Sequence, residues 1–337
     1  MGGNLFKLGR LPKEKYLDIE RELRIYLDQK FGDQYRIPRY FKDKADFGDV
    51  DIILSHAILK NKTWPEIKEE IIEDLQLKKY QTTGTLFSTV YRNFQVDYFL
   101  RSVKYFDSTY YFLSFNDLGN LIGKIYRRFN LKYGEEGLVY VFRRANQHYK
   151  KDIPVSLNFK KIYQFLKLDN QKWEEGFNSR KEMFDWIVAS PYFSIQPYTK
   201  LSKKSEKRAK ERTTMKRFLA YLEEKNIKQE YQYLENKEDY LPMIDAYFPE
   251  ANLVEAIKKE KAREVFLEEL KEKYNGKMIM QLFPQLKGKE LGAFIKSFQD
   301  QYENHEATLH SMTPKDIVDQ LKEFHLKYSS PNSFDTK

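Results

Sequence analysis

At 337 residues the chain is long enough for a substantial core and two or three subdomains. A composition 41% hydrophobic and 16% aromatic excludes a disordered chain, and the absence of cysteine excludes disulfides and thiolate zinc sites. The formal net charge of +9 favours polyanionic partners such as nucleotides or nucleic acid, although a lysine-rich solvated surface gives the same number. His56, His148, His305, His310 and His325 show no metal-ligand spacing. No basic-then-apolar leader opens the chain and no apolar run approaches membrane-spanning length. A cytoplasmic protein with no membrane partner is expected.

The chain opens on Gly2-Gly3-Asn4. From Pro12 to Phe31, the residues Tyr16, Ile19, Leu23, Tyr26, Leu27 and Phe31 recur on one helix face, with Pro12 suited to the first turn and Gly32 to the end. The polar stretch from Lys42 to Gly48 then runs into Asp49-Val50-Asp51-Ile52-Ile53-Leu54, a loop feeding a buried strand. Residues two apart on a strand share a face, so Asp49 and Asp51 project side by side. Two such carboxylates repel, and burial raises that cost unless a cation neutralises them. A hard divalent ion such as Mg²⁺ suits an all-oxygen site. Alone, the pair reads as a strand-edge turn with solvated aspartates, and it needs a third partner.

Trp64 to Leu77 alternates charged and aliphatic residues at helical spacing, with Thr63 as N-cap and Pro65 in the first turn. Tyr80 to Phe87 and Val90 to Arg92 read as one further strand with turn residues. Phe94-Gln95-Val96-Asp97-Tyr98-Phe99-Leu100 alternates again and carries one carboxylate among apolar neighbours. If this strand lies beside the first, Asp97 completes a three-carboxylate cluster. Such a cluster can hold two metal ions, activate a hydroxyl and neutralise phosphate oxygens.

In these residues the chain resembles the DNA polymerase beta-like nucleotidyltransferase superfamily. That pattern is a Gly-Gly or Gly-Ser turn opening a helix, an h-D-h-D-h strand and a third carboxylate on a later strand. The resemblance covers the head of the chain, about residues 1–145. It implies Asp49, Asp51 and Asp97 as catalytic residues and ligands of two Mg²⁺ ions, with a nucleoside triphosphate as substrate. It makes Gly2, Gly3, Asn4, Lys44 and Gly48 candidates for nucleotide and phosphate contacts, the first three through N–H groups before a helix. One departure concerns spacing: a long helical segment separates the glycine pair from the aspartates, where the family's interval is shorter.

The segment Ser114 to Phe129 reads as a helix capped by Ser114 or Asn116, with Gly119 and Gly123 four apart on one face. Glycine inside a helix costs roughly 1 kcal/mol against alanine, so something approaches that face closely: the nucleotide, the acceptor or a neighbouring helix. Under the resemblance the helix borders base and sugar, and Asn116, Asn120 and Lys124 are its polar candidates. Leu131 to Phe142 reads as a hairpin turn into a strand, followed by Arg143 and Arg144.

From about residue 150 the texture is helical, with amphipathic segments at Val155–Leu168 and Arg180–Ala189, the latter capped by Ser179. The densest basic run follows, including Lys203, Lys204, Lys207 and Arg208; it suits a phosphate backbone or a solvated helix face. A charged helix covers residues 251–274, ended by Gly276. Pro284 to Ile295 is similar, over about a dozen residues, to the Gly-x-Glu-Leu-Gly turn and helix in the tails of bacterial CCA-adding enzymes and poly(A) polymerases. Lys287 and Lys289 at that helix start are candidates for an RNA phosphate. The last helix runs from Pro314 to Tyr328 with Thr313 as cap, before a disordered tail.

The expected fold class is α+β: a small mixed-sheet nucleotidyltransferase head (1–150), a helical middle domain with the basic segment (151–235), a helical C-terminal domain (236–328) and a tail (329–337). The expected reaction moves a nucleoside monophosphate from a nucleoside triphosphate to a hydroxyl, with an RNA 3′ end the first-choice acceptor. A small-molecule or protein acceptor, and an inactive head on a nucleic-acid-binding or structural protein, stay open as alternatives.

Overall fold

The computed structural model describes residues 5–143, 150–199, 213–227 and 230–328. Gly2, Gly3 and Asn4, the basic residues Lys203, Lys204, Lys207 and Arg208, and the tail 329–337 lie outside the described residues. The described chain mixes helices and strands, with a mixed sheet towards its start and helices alone towards its end, as the sequence predicts. Its contacts divide it into one unit of residues 5–143 and 150–253 and a second of residues 254–328.

The first unit opens with strand β1 (Leu11–Pro12) and helix α1 (Lys13–Phe31), where Pro12 stands at the N-cap. Gly32 closes α1 with φ at 57°, in the left-handed region that glycine enters without steric cost. Strands β2 (Tyr35–Arg36), β3 (Asp46–Phe47) and β4 (Asp49–Ser55) follow, and then α2 (Trp64–Asp74). Thr63 and Glu66 close a reciprocal capping box at the start of α2. Next come β5 (Tyr80–Thr83), β6 (Leu86–Tyr91) and β7 (Phe94–Arg101). The stretch read as one strand is therefore a hairpin, because Gly84 turns the chain at a φ of 59°.

Five strands form one sheet in the order β2-β4-β7-β6-β5; β4 and β7 run parallel and the other pairs antiparallel. The period of two along β4 and β7 sorts their side chains. Val50, Ile52, Leu54, Val96, Tyr98 and Leu100 enter the core with Leu23 and Leu27 of α1 and Ile67 and Ile71 of α2. Asp49, Asp51, Gln95 and Asp97 take the opposite face.

Two short helices follow, α3 (Phe106–Leu113) and α4 (Leu118–Tyr126). The sequence reading started the second at Ser114 or Asn116, but Phe115 and Asn116 hold φ at 59° and 60°, so the helical path breaks between the two. A Cβ on Gly119 would lie 2.6 Å from the carbonyl oxygen and the ring of Phe112. The close neighbour at this glycine is thus helix α3.

Strands β8 (Leu131–Gly134), β9 (Gly137–Arg143) and β10 (Lys150–Ser156) make an antiparallel sheet in sequence order. Strand β10 corrects the expectation of helix from residue 150: Ile153 and Val155 are its buried positions, flanked by lysines and a proline that obscure the alternation. The helix expected from Val155 shortens to α5 (Phe159–Phe165), since the Asn158 side chain caps it by accepting from the Lys161 N–H. Helices α6 (Asn170–Glu175), α7 (Arg180–Val188), α8 (Gln196–Thr199), α9 (Thr213–Glu224) and α10 (Leu241–Tyr247) continue the unit. Ser179 caps α7 as expected.

Helix α11 (Leu253–Lys273) starts at the boundary between the units and leads to α12 (Gly276–Leu282), α13 (Gly288–Gln299), α14 (His305–Ser311) and α15 (Pro314–Tyr328). Their apolar faces meet in a separate core that includes Phe294, Phe298, Leu309, Ile317 and Leu321. Gly276 opens α12 instead of ending α11, because Asn275 supplies the N-cap, accepting from the Met278 N–H at 2.9 Å. Thr313 caps α15 in a reciprocal pair with Asp316. Among the described residues no helix is long and apolar enough to cross a membrane.

Candidate metal centre

Lys13 anchors the loop ahead of β4 by donating its backbone N–H to the Ala45 carbonyl (2.9 Å), and β1 pairs with β3. Gly48, buried, then delivers the chain to Asp49, the first residue of β4. Asp51 follows on the same face. Because β4 and β7 are parallel in the register Asp51 opposite Asp97, the third carboxylate arrives beside the second. One carboxylate oxygen from each of Asp49, Asp51 and Asp97 lies within 4.8 Å of the other two. Asp97 is 5% exposed, and Asp49 and Asp51 are partly buried.

Charges this close repel by about 3 kcal/mol per pair at an effective dielectric near 20. Burial and the charge of Asp97 accordingly push the Asp49 carboxyl from its ordinary 3.8 up to about 6, against the opposing pull of Lys44. Burial, together with Asp49 and Asp97, holds Asp51 well above the usual carboxylate range. Asp97 is also raised by burial, while hydrogen bonds from Ser88 and Gln95 draw it back. Among the described residues the Asp49 Oδ2 oxygen is buried without a hydrogen-bond partner. A cation at this position would satisfy the orphaned acceptor, and the all-oxygen donor set suits Mg²⁺. The residues fit the ion.

The groups that fix Asp97 lie outside the candidate residues that the sequence offers. Gln95, 3% exposed, donates its Nε2 hydrogens to both Asp97 oxygens, at 3.1 and 2.9 Å. Its Oε1 accepts from the Leu5 backbone N–H at 3.2 Å, which ties the incoming N-terminal chain to the cluster. Ser88 faces Asp97 across the β6–β7 pair. A glutamine in a buried apolar strand, two residues before the aspartate, was the available signal. Lys44, half-buried, sits 4.1 Å from the Phe47 ring centroid. Burial lowers its pKa, while Asp49 and Asp51 pull it upward.

Other expected site residues lie as follows. Asn116 is exposed in the α3–α4 turn, Asn120 donates to Asp117 at 3.3 Å, and the Lys124 ammonium reaches the Pro197 carbonyl at 3.5 Å. Lys287 and Lys289 are exposed at the start of α13, in the second unit. Cavities of about 520 and 590 Å³ open on the first unit around Arg24 and Arg36 and around Lys60 and Glu70, and none of the three aspartates lines either. A comparison with models of known protein families gives no match, and a comparison with curated proteins gives none.

Proposed function

We propose that the protein is a metal-dependent nucleotidyltransferase that moves a nucleoside monophosphate from a nucleoside triphosphate to a hydroxyl acceptor, with release of pyrophosphate. An RNA 3′ end is the acceptor we favour, given the net charge of +9. The observation that carries the reading is the convergence of Asp49, Asp51 and Asp97 from two parallel strands, with one buried Asp49 oxygen left for a cation. Asp49 and Asp51 would hold two Mg²⁺ ions, and Asp97 would share the catalytic one. When bound, such ions neutralise phosphate oxygens and lower the pKa of an attacking hydroxyl.

The chain's own groups do the rest. Asp97, fixed by Gln95 and Ser88 and raised by burial, is suited to accept the hydroxyl proton. Lys44 places a positive charge beside Asp49 and Asp51, where a triphosphate oxygen needs one. The test is incubation with Mg²⁺, labelled triphosphates and total RNA, comparing wild type with Asp49→Ala and Asp97→Ala. Incorporation by wild type alone supports the reading, and equal incorporation by all three discards the metal assignment. Transfer that proceeds without added nucleic acid moves the acceptor to another class.

A further inference from the structure

Away from the aspartates, the first unit gathers five cations from separate parts of the sequence. Arg127 and Arg128 lie in the 3₁₀ turn that closes α4. The turn holding Lys237 packs against it, and the Lys237 ammonium donates to the Arg127 carbonyl at 2.8 Å. The Val141 N–H donates to the Asn130 carbonyl at 2.9 Å, which brings β9 alongside. Arg143 ends that strand, directly across from Lys150 of β10. The Arg128 guanidinium lies 4.8 Å from the Tyr233 ring centroid, and among the described residues its Nε is buried without a hydrogen-bond partner.

Among the described residues none of these five side chains makes an ion pair with a carboxylate. The nearby Asp152 pairs with Lys132 at 2.5 Å, and its single charge also acts on Arg127 and Lys150 without an ion pair to either. Partial desolvation, with Arg143, lowers the pKa of Arg127 against the pull of Asp152; burial, with Arg128, Arg127 and Arg143, lowers that of Lys237. A helix C-terminus favours one or two cations, which accounts for Arg127 and Arg128 alone. It does not account for Arg143, Lys150 and Lys237, which come from other elements. A row of phosphates relieves the mutual repulsion, and a guanidinium steadied on an aromatic ring is a preformed phosphate fork.

We propose that Arg127, Arg128, Arg143, Lys150 and Lys237 form a docking surface for the phosphodiester backbone of a nucleic-acid strand, the acceptor of the transfer reaction. The choice of nucleic acid over another polyanion rests on the nucleotidyltransferase reading; the surface itself does not. Arg127, Arg143 and Lys150 are exposed, so their replacement leaves the core intact.

The experiment measures fluorescence anisotropy of labelled single-stranded RNA, and of its DNA counterpart, with the full chain in EDTA and without triphosphate. The proteins compared are wild type, R127Q/R143Q/K150Q, the charge-keeping R127K/R143K/K150R, and K258Q/K259Q/K261Q, which removes equal charge from exposed positions on α11. At about 0.7 counterions per phosphate contact, loss of three contacts flattens the slope of log affinity against log salt by about 2 and weakens binding near 0.1 M salt by roughly 10- to 100-fold. That loss is expected in the first variant alone, on RNA or DNA or both, with the charge-keeping variant at wild-type strength. The proposal is overturned if wild type binds neither strand, if the two neutralised variants lose alike or not at all, or if vesicles containing phosphatidylserine bind the surface while the strands do not. Asp49→Ala serves as the separating control and should bind as wild type does. Asp49-dependent transfer without strand binding sinks the docking surface alone, and strand binding without Asp49-dependent transfer sinks the catalytic reading alone.

Discussion

Replacing Asp49 with asparagine should stabilise the metal-free protein, an unusual result for a partly buried polar position. The Asp49 pKa stands at about 6 in the folded chain against an ordinary 3.8. The folded state therefore binds the proton more tightly, and stability falls as pH rises between those two values. Above about pH 6 the penalty is complete, and at 1.36 kcal/mol per pKa unit it is about 3 kcal/mol. A neutral amide at this position carries no charge to desolvate or repel, so Asp49→Asn should regain most of this near pH 8, raising Tm by about 6–10 °C for a unit of this size. Near pH 4 the gain should vanish. Mg²⁺ should raise the Tm of wild type and leave the variant almost unmoved, since binding to the native state alone stabilises it. The assay is differential scanning calorimetry in EDTA and in Mg²⁺ at both pH values. A variant less stable than wild type near pH 8 in EDTA, or one stabilised equally by Mg²⁺, would refute the reasoning.

Three further outcomes follow from local geometry. Gln95→Leu removes both donors to Asp97 and the acceptor for the Leu5 N–H, and should cost about 1–3 kcal/mol in urea unfolding while weakening Mg²⁺ binding in a calorimetric titration. Gly119→Ala drives a methyl to 2.6 Å from the Phe112 carbonyl oxygen and ring, so chemical denaturation should show a loss of about 1–3 kcal/mol, where an open glycine in a helix would show a gain. Thr63→Ala takes one half of the capping box from α2 and should lower stability by about 1 kcal/mol, with Thr63→Ser close to wild type.

What could be read from the sequence was what depends on near neighbours. Helices α1, α2, α7 and α15 carry their own caps and apolar stripes, and the period of two placed Asp49 and Asp51 on one face without any structure. The arrival of Asp97 beside Asp51 needed β4 and β7 to pair in parallel across 46 residues, a long-range choice that no local pattern encodes. Strand β10 escaped because Lys150, Lys151 and Pro154 read as a polar, broken stretch until β9 supplies the hydrogen-bond partners. Gln95 escaped for the opposite reason: an amide in an apolar strand looks like an isolated exception until its two acceptor oxygens are in place. The basic surface was invisible as a charge run, since Arg127 and Lys237 are 110 residues apart and meet only through packed turns.

The most direct measurement is Mn²⁺ binding followed by electron paramagnetic resonance, with Mn²⁺ standing in for Mg²⁺ on wild type and on Asp49→Asn, Asp51→Asn and Asp97→Asn. Saturable binding to wild type, competed by Mg²⁺ and lost or strongly weakened in every one of the three variants, is the predicted result. Binding that is absent from wild type, or that persists unchanged when any one of the three carboxylates is neutralised, would contradict a shared metal centre.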